Sequence, residues 1–328
     1  PDPQSIQGGV DGILDKSTAD SRLMAYGFGD GGGGPSYSML ESEKIIKDMA
    51  GMPTLEQTTV SNFMKRLEST AKNLPVFSGE LYLELHRGTL TQMHEIKRSN
   101  RNLEKAIHNY ELLSVLFGKQ NSELLDNSIK TLLTNQFHDI LPGTCIEDAH
   151  KVAVYENTKA TCDLNNGMKE LFDGKTNEMS VANTLSFDRK DQIIFKNTDF
   201  VPENCVAQEY TDIYGDKCIA ASGLNLPAFS VTSVKSGTPK TAECPFTVDG
   251  NNISTPFADI VMENGRFVSY KTKSGRQVVN DIKAPLNTLY FGEDIPSNWD
   301  NWDIDYDQSQ KMSPVTDFVS SEVVSIGA

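Results

Sequence analysis

Apolar residues change their period once along this chain, and that change dictates the fold class. From Leu103 to Phe172 they recur at three- and four-residue steps, the spacing of one helix face. Leu103, Ala106, Ile107, Tyr110, Leu113, Leu116 and Phe117 form one such stripe, and Gly118 closes it. Leu124, Leu125, Ile129, Leu132, Leu133 and Phe137 form a second. A third runs from about Cys145 through Ala149, Val152 and Tyr155 to Met168, Leu171 and Phe172. Three helices with short connections predict an antiparallel bundle. After Gly174 the period falls to two. Ile193-Ile194-Phe195 is apolar and Phe267 to Thr272 alternates, with turn signals at Asp249-Gly250-Asn251, Glu263-Asn264-Gly265 and Lys273-Ser274-Gly275. Short, evenly spaced strands of this kind predict an antiparallel β-sandwich.

The first 75 residues follow neither rule. Leu23-Met24-Ala25-Tyr26 and Gln57-Thr58-Thr59-Val60 read as strands. Helices are expected from Ser36 to Met49 and from a Ser61 cap to about Asn73. Strand, helix, strand, helix predicts part of an α/β domain. The whole is therefore a multi-domain α+β chain: the C-terminal part of an α/β catalytic domain at 1–75, a three-helix bundle at 76–176, and a β-sandwich at 177–328. The last stretch, Ser321 to Ile326, reads as the middle of a strand, and the chain starts at Pro1 without a Met. Both ends predict a piece of a longer protein.

Composition excludes several classes of function. At 328 residues, with 38% hydrophobic and 23% charged residues, the chain has ample material for a core. Its net charge of −15 repels phosphate backbones and anionic lipid, so neither nucleic acid nor a membrane surface is an expected partner. Five cysteines, without a Cys-x-x-Cys, predict reduced thiols and a cytoplasmic location.

Gly27, Gly29 and Gly32 satisfy Gly-x-Gly-x-x-Gly. A dinucleotide loop also requires a preceding strand, a helix opening on the glycines and an acid about 20 residues on. Asp48 lies at that distance but inside a predicted helix, and Pro35 with two surplus glycines lengthens the turn. A substrate loop accounts for the residues better. Glycine lets backbone approach a ligand closely, and Asp30 stands among the glycines without obstruction.

The second special stretch is Asn135-Gln136-Phe137-His138-Asp139-Ile140-Leu141-Pro142-Gly143-Thr144. A neutral imidazole at a helix end can ligate a metal, and the adjoining carboxylate can accept sugar hydroxyls. The plainer alternative is a histidine that completes the last helix carbonyls. The other histidines are His86, His94, His108 and His150, and neither His-x-Asp nor His-Glu-x-x-His occurs. Trp299 and Trp302 offer either sugar stacking or, the stronger reading, a sandwich or interface anchor. Alternation along a solvated strand edge explains Asp300, Asp303 and Asp305 better than calcium.

Together these motifs resemble the α-mannosidases of glycoside hydrolase family 38, specifically the bacterial and vacuolar-type members. The resemblance is carried by Gly79 to Thr89 (GELYLELHRGT), Lys97-Arg98-Ser99-Asn100-Arg101, QFHDILPGT at 136–144, YGFGDGGGGP at 26–35, and Asn287-Thr288-Leu289 with Trp299 to Asp305. It implies part of a zinc-dependent retaining exo-α-mannosidase that removes terminal α-linked mannose from oligosaccharides. His138 would be a ligand to one zinc ion, Asp139 would contact the mannose, and Asp30 would be the acid/base carboxylate facing the same cavity. Glu84, His86 and Arg87 would either line the site or brace the bundle. The family's His-x-Asp ligands and its nucleophilic Asp are absent. Zinc would therefore be completed by the remainder of the catalytic domain, N-terminal to Pro1, and this chain alone is expected to be inactive. The alternative is a non-catalytic carbohydrate-binding or scaffold module of the same fold.

Overall fold

A computed structural model describes every residue except 1, 15, 18, 30, 31, 73, 75, 82–85, 173–177, 191, 241 and 328. The chain divides into two compact units, Pro1–Tyr82 and Leu83–Ala328. In the first unit, three helices start where the backbone is capped. In α1 (Pro3–Asp11) Asp2 accepts the Ser5 amide at 2.8 Å, and proline at the first position loses no needed donor. In α2 (Tyr37–Lys47) Ser36 accepts from Met39. In α3 (Val60–Thr70) Thr59, rather than the expected Ser61, is the cap, accepting from Asn62 at 3.2 Å.

The two strands expected in this unit do not form. Residues 21–26 and 54–59 lie outside helices and strands, and no β-ladder occurs among the unit's described residues. A strand is defined by a hydrogen-bonded neighbour, and apolar runs alone do not supply one. With Ile6 and Phe63, both segments line a groove of about 1150 Å³. The Gln57 amide donates to the Tyr26 hydroxyl at 3.1 Å. Without a strand before Gly27, the dinucleotide reading of the glycine loop falls.

The second unit begins with a 3-10 turn, Gly88–Leu90, and three long helices: α4 (His94–Phe117), α5 (Ser122–Asn135) and α6 (Glu147–Leu171). Gly118 ends α4 in the left-handed region (φ 61°), and Asn121 caps α5 through the Leu124 amide. Leu103, Ala106, Tyr110, Leu113, Leu125, Leu164 and Leu171 bury one another between the helices. Each such side chain contributes about 1.5–3 kcal/mol on burial. Gly167 allows the Tyr110 ring to sit where a Cβ would come within 2.9 Å of it.

Toward the start of α4 and the end of α5 the interior turns polar. Asn135 donates to Asn157 at 3.0 Å, and Asn157, fully buried, donates to Ser99 at 3.3 Å. Such pairs specify one rotational register, because any other leaves buried amides unsatisfied.

All ladders of the β region are antiparallel. β1 (Met179–Asn183) pairs with β5 (Ser230–Val234). β2 (Ile193–Lys196) and β3 (Val206–Thr211) flank β4 (Lys217–Ser222). The largest sheet is a meander: β6 (Thr247–Asp249), β7 (Asn252–Ser254), β8 (Ala258–Glu263), β9 (Arg266–Thr272) and β10 (Gln277–Asn280). Three of its four hairpins fall at the predicted turns, with Gly250, Asn264, Gly265 and Gly275 at positive φ, and the fourth joins β7 to β8 through residues 255–257. The small pair β11 (Tyr290–Phe291) and β12 (Ser313–Pro314), with α7 (Gln308–Lys311) between them, follows. Residues 315–327 form no strand, contrary to the reading of the C-terminal run.

Two hydrogen bonds tie the bundle to the strands. Thr184, just after β1, donates through its hydroxyl to Asn109 at 2.8 Å, and the His108 ring donates to the Thr184 carbonyl at 3.1 Å. His108 is thus structural.

Candidate active site

α5 stops at Asn135, and the chain then turns tightly. The Gln136 and Phe137 amides take the Leu132 and Thr134 carbonyls, while Ile140 and Leu141 both donate to the Phe137 carbonyl. The helix end is therefore closed by backbone, and His138 is free of that duty. Its side chain is 72% exposed, with the ring packed at 4.3 Å against Phe137. Nε2 lies 3.6 Å from the Asp139 carboxylate. The other Asp139 oxygen accepts from the Thr144 hydroxyl at 3.2 Å, which orients the carboxylate. An imidazole and an oriented carboxylate thus stand side by side, open to solvent.

The same turn is packed against the start of α4. Gly143 is buried at φ 90°, and a Cβ there would lie 2.6 Å from Met93. Only glycine meets both demands. Gly143 closes the turn by donating to the Ile140 carbonyl.

The described residues contain no cluster of three histidine, cysteine, aspartate or glutamate side chains that could hold a metal ion. His138 fits one corner of a zinc site, since its ring is exposed and a carboxylate adjoins it. Further ligands would have to come from elsewhere. Asp30 lies outside the described residues, as does Glu84. Around Asp30 the loop is pinched by the Phe28 amide, which donates to the Gly33 carbonyl at 3.1 Å, with Gly27 and Gly32 at positive φ.

The HRGT and WDNWD motifs, far apart in sequence, meet in space. His86 stands at φ 64°, and the His86 and Arg87 amides both donate to one Asp303 carboxylate oxygen. The Gly88 amide donates to the Trp302 carbonyl at 2.9 Å, and the Trp302 ring lies 4.9 Å from that of His86. Trp302 is thereby an anchor, as the stronger reading has it, whereas Trp299 is 68% exposed. Asp303 and Asp305 lie in a loop, not on the expected strand edge. Asp305 accepts the Ser297 amide and hydroxyl at 3.0 and 2.8 Å.

Comparison with known proteins places these features. Residues 3–80 match the glycosyl hydrolases family 38 N-terminal domain, and residues 84–172 match the alpha mannosidase middle domain. The human protein Alpha-mannosidase 2C1 is 35% identical over 174 residues, which are 48% of this chain and 17% of that protein. Alpha-mannosidase G of Dictyostelium discoideum is 41% identical over 146 residues, 42% of this chain and 13% of its own length. The chain thus spans less than a fifth of these relatives. An alpha-mannosidase from Enterococcus faecalis V583 has a similar fold, with TM-score 0.55 at 14% identity, over 85% of this chain and 39% of the other. With its N-terminal and middle-domain sequences in order, the chain belongs to glycosyl hydrolase family 38.

Proposed function

We propose that this chain is part of a zinc-dependent retaining exo-α-mannosidase of the cytoplasm, acting on terminal α-linked mannose of oligosaccharides. In this reading its layout is catalytic-domain segment, helical bundle and β-sandwich. The observation that carries it is the exposed His138–Asp139 pair, held on a backbone-closed turn within the alpha mannosidase middle-domain match.

Glycoside cleavage builds positive charge at the anomeric carbon. A retaining enzyme meets it with two carboxyl groups about 5 Å apart, one attacking C1 and one protonating the departing oxygen. In this chain Asp30 is the proton donor and, in the second half-reaction, the base that activates water. Enclosure by substrate raises a carboxyl pKa and keeps the proton available near neutrality. His138 holds zinc through a ring nitrogen, and Asp139 accepts sugar hydroxyls with the carboxylate that Thr144 orients. When bound, zinc supplies a Lewis acid for hydroxyls of the terminal mannose. The nucleophile and the other ligands belong to the rest of the catalytic domain.

The test uses the full-length gene product. His138→Ala is expected to lose zinc and aryl α-mannoside hydrolysis together, by metal analysis and by initial rates. Unchanged zinc stoichiometry in that variant would remove the ligand assignment. Zinc-free, inactive wild-type protein would favour the non-catalytic module.

A further inference from the structure

Among the described residues, Lys97 has no carboxylate ion partner. It sits one turn into α4, partly buried, and its ammonium donates to three backbone carbonyls: Gln92, Leu141 at 3.1 Å and Pro142 at 3.1 Å. The first belongs to the segment entering α4. The other two belong to the turn that carries His138 and Asp139. An ammonium has three donors, and here each has its own acceptor.

We propose that Lys97 is a positioning residue, clamping the His138–Asp139 turn onto the start of α4. The inference rests on the reading of those two residues as site residues. Several features make the clamp more than an incidental contact. Leu141 and Pro142 directly precede Gly143, which packs on the Met93 side chain, so the cation binds the turn where it already lies close against the start of α4. The Met93 backbone is itself left-handed (φ 46°), which throws the Gln92 carbonyl back toward the helix. The Ser99–Asn157–Asn135 chain fixes the end of α5 from the other side. His138 is therefore held between two polar fixtures, one of them charged. Carbonyl oxygens are the acceptors a cation can gather without creating a competing carboxylate beside a metal ligand.

A chain of contacts extends the fixture further. Gln92 donates through its side chain to Asp294 at 3.2 Å, and its backbone amide donates to Gly88, whose own amide is held by Trp302. The β region thus steadies the residue whose carbonyl Lys97 binds.

The experiment compares wild type, Lys97→Met and Lys97→Arg in the full-length protein, by amide hydrogen exchange read by mass spectrometry. Met keeps the length of the side chain and removes every donor, whereas Arg keeps a charge and several donors. With Met, exchange in peptides covering 137–144 is expected to rise by about tenfold or more. Peptides from the core around Leu103, Leu113 and Leu164 should stay as protected as in wild type. Arg should restore most of the turn's protection. The proposal is overturned if Met leaves the turn's exchange unchanged, if Arg is no better than Met, or if the whole bundle loosens equally. These readouts need neither zinc nor substrate. Failure of the clamp thus differs from failure of the mannosidase reading, which the His138→Ala zinc and activity assay reports.

Discussion

At the scale of single residues, environment decides what each side chain does. The five histidines show this well. His108 binds a carbonyl of the β region, His86 packs on Trp302, and the His150 ring approaches Glu95 at 3.5 Å. His138 pairs broad exposure with an adjoining oriented carboxylate. Its motif made it legible in the sequence. Lys97 stood in a quoted motif too, yet its role was hidden, because carbonyl acceptors belong to every residue and leave no trace in composition. For Asp30, replacement by Asn removes the transferable proton and keeps the shape. We expect turnover of aryl α-mannosides to fall by about a hundredfold or more with zinc still bound. Full activity would take Asp30 out of the mechanism.

At the scale of elements, periodicity served where an element satisfies its own backbone. The helices α5 and α6 and the end of α4 emerged within a few residues of expectation, since an apolar stripe suffices to define them, whereas α4 begins at His94, well before the stripe that starts at Leu103. The hairpin turns at Asp249-Gly250 and Asn264-Gly265 were equally readable, because Asp-Gly and Asn-Gly carry their conformation with them, whereas the β3–β4 and β7–β8 turns were not. The strands expected at 23–26 and 57–60 were not, since pairing depends on a neighbour that local pattern does not reveal. Gly118→Ala tests the capping argument. An added Cβ meets nothing within 4 Å, so the cost is conformational alone, about 1 kcal/mol by urea unfolding. The β3–β4 hairpin supplies a pH test. Asp212 accepts from Lys196 at 2.6 Å, and then from the Asp216 and Tyr214 amides at 3.0 and 2.9 Å. The Lys196 bond comes first in holding its carboxyl below the ordinary value of 3.8. A depressed folded pKa stabilises above the unfolded value and is lost as pH falls through the folded one. Exchange protection in 206–222 should therefore decline as pH drops below about 4. In Asp212→Asn that decline should flatten.

At the scale of the whole second unit, helical and strand regions are joined by more than chain connectivity. Residues 86–88 borrow their acceptors from Trp302 and Asp303, 217 positions away in the case of His86. We expect Asp303→Ala to speed amide exchange at 86–90 and to cost about 1–3 kcal/mol, with Asp303→Asn between it and wild type. An unaltered rate there would mean that the turn stands without its distant support. Neither motif revealed this partnership beforehand, because nothing local to either names the other. A scissor cut at the junction of helices and sheets, the natural place to dissect such a molecule, would strip the amides of residues 86–88 of the acceptors at Trp302 and Asp303. The entrance to the bundle is finished only when a stretch 217 positions further along the polypeptide has arrived.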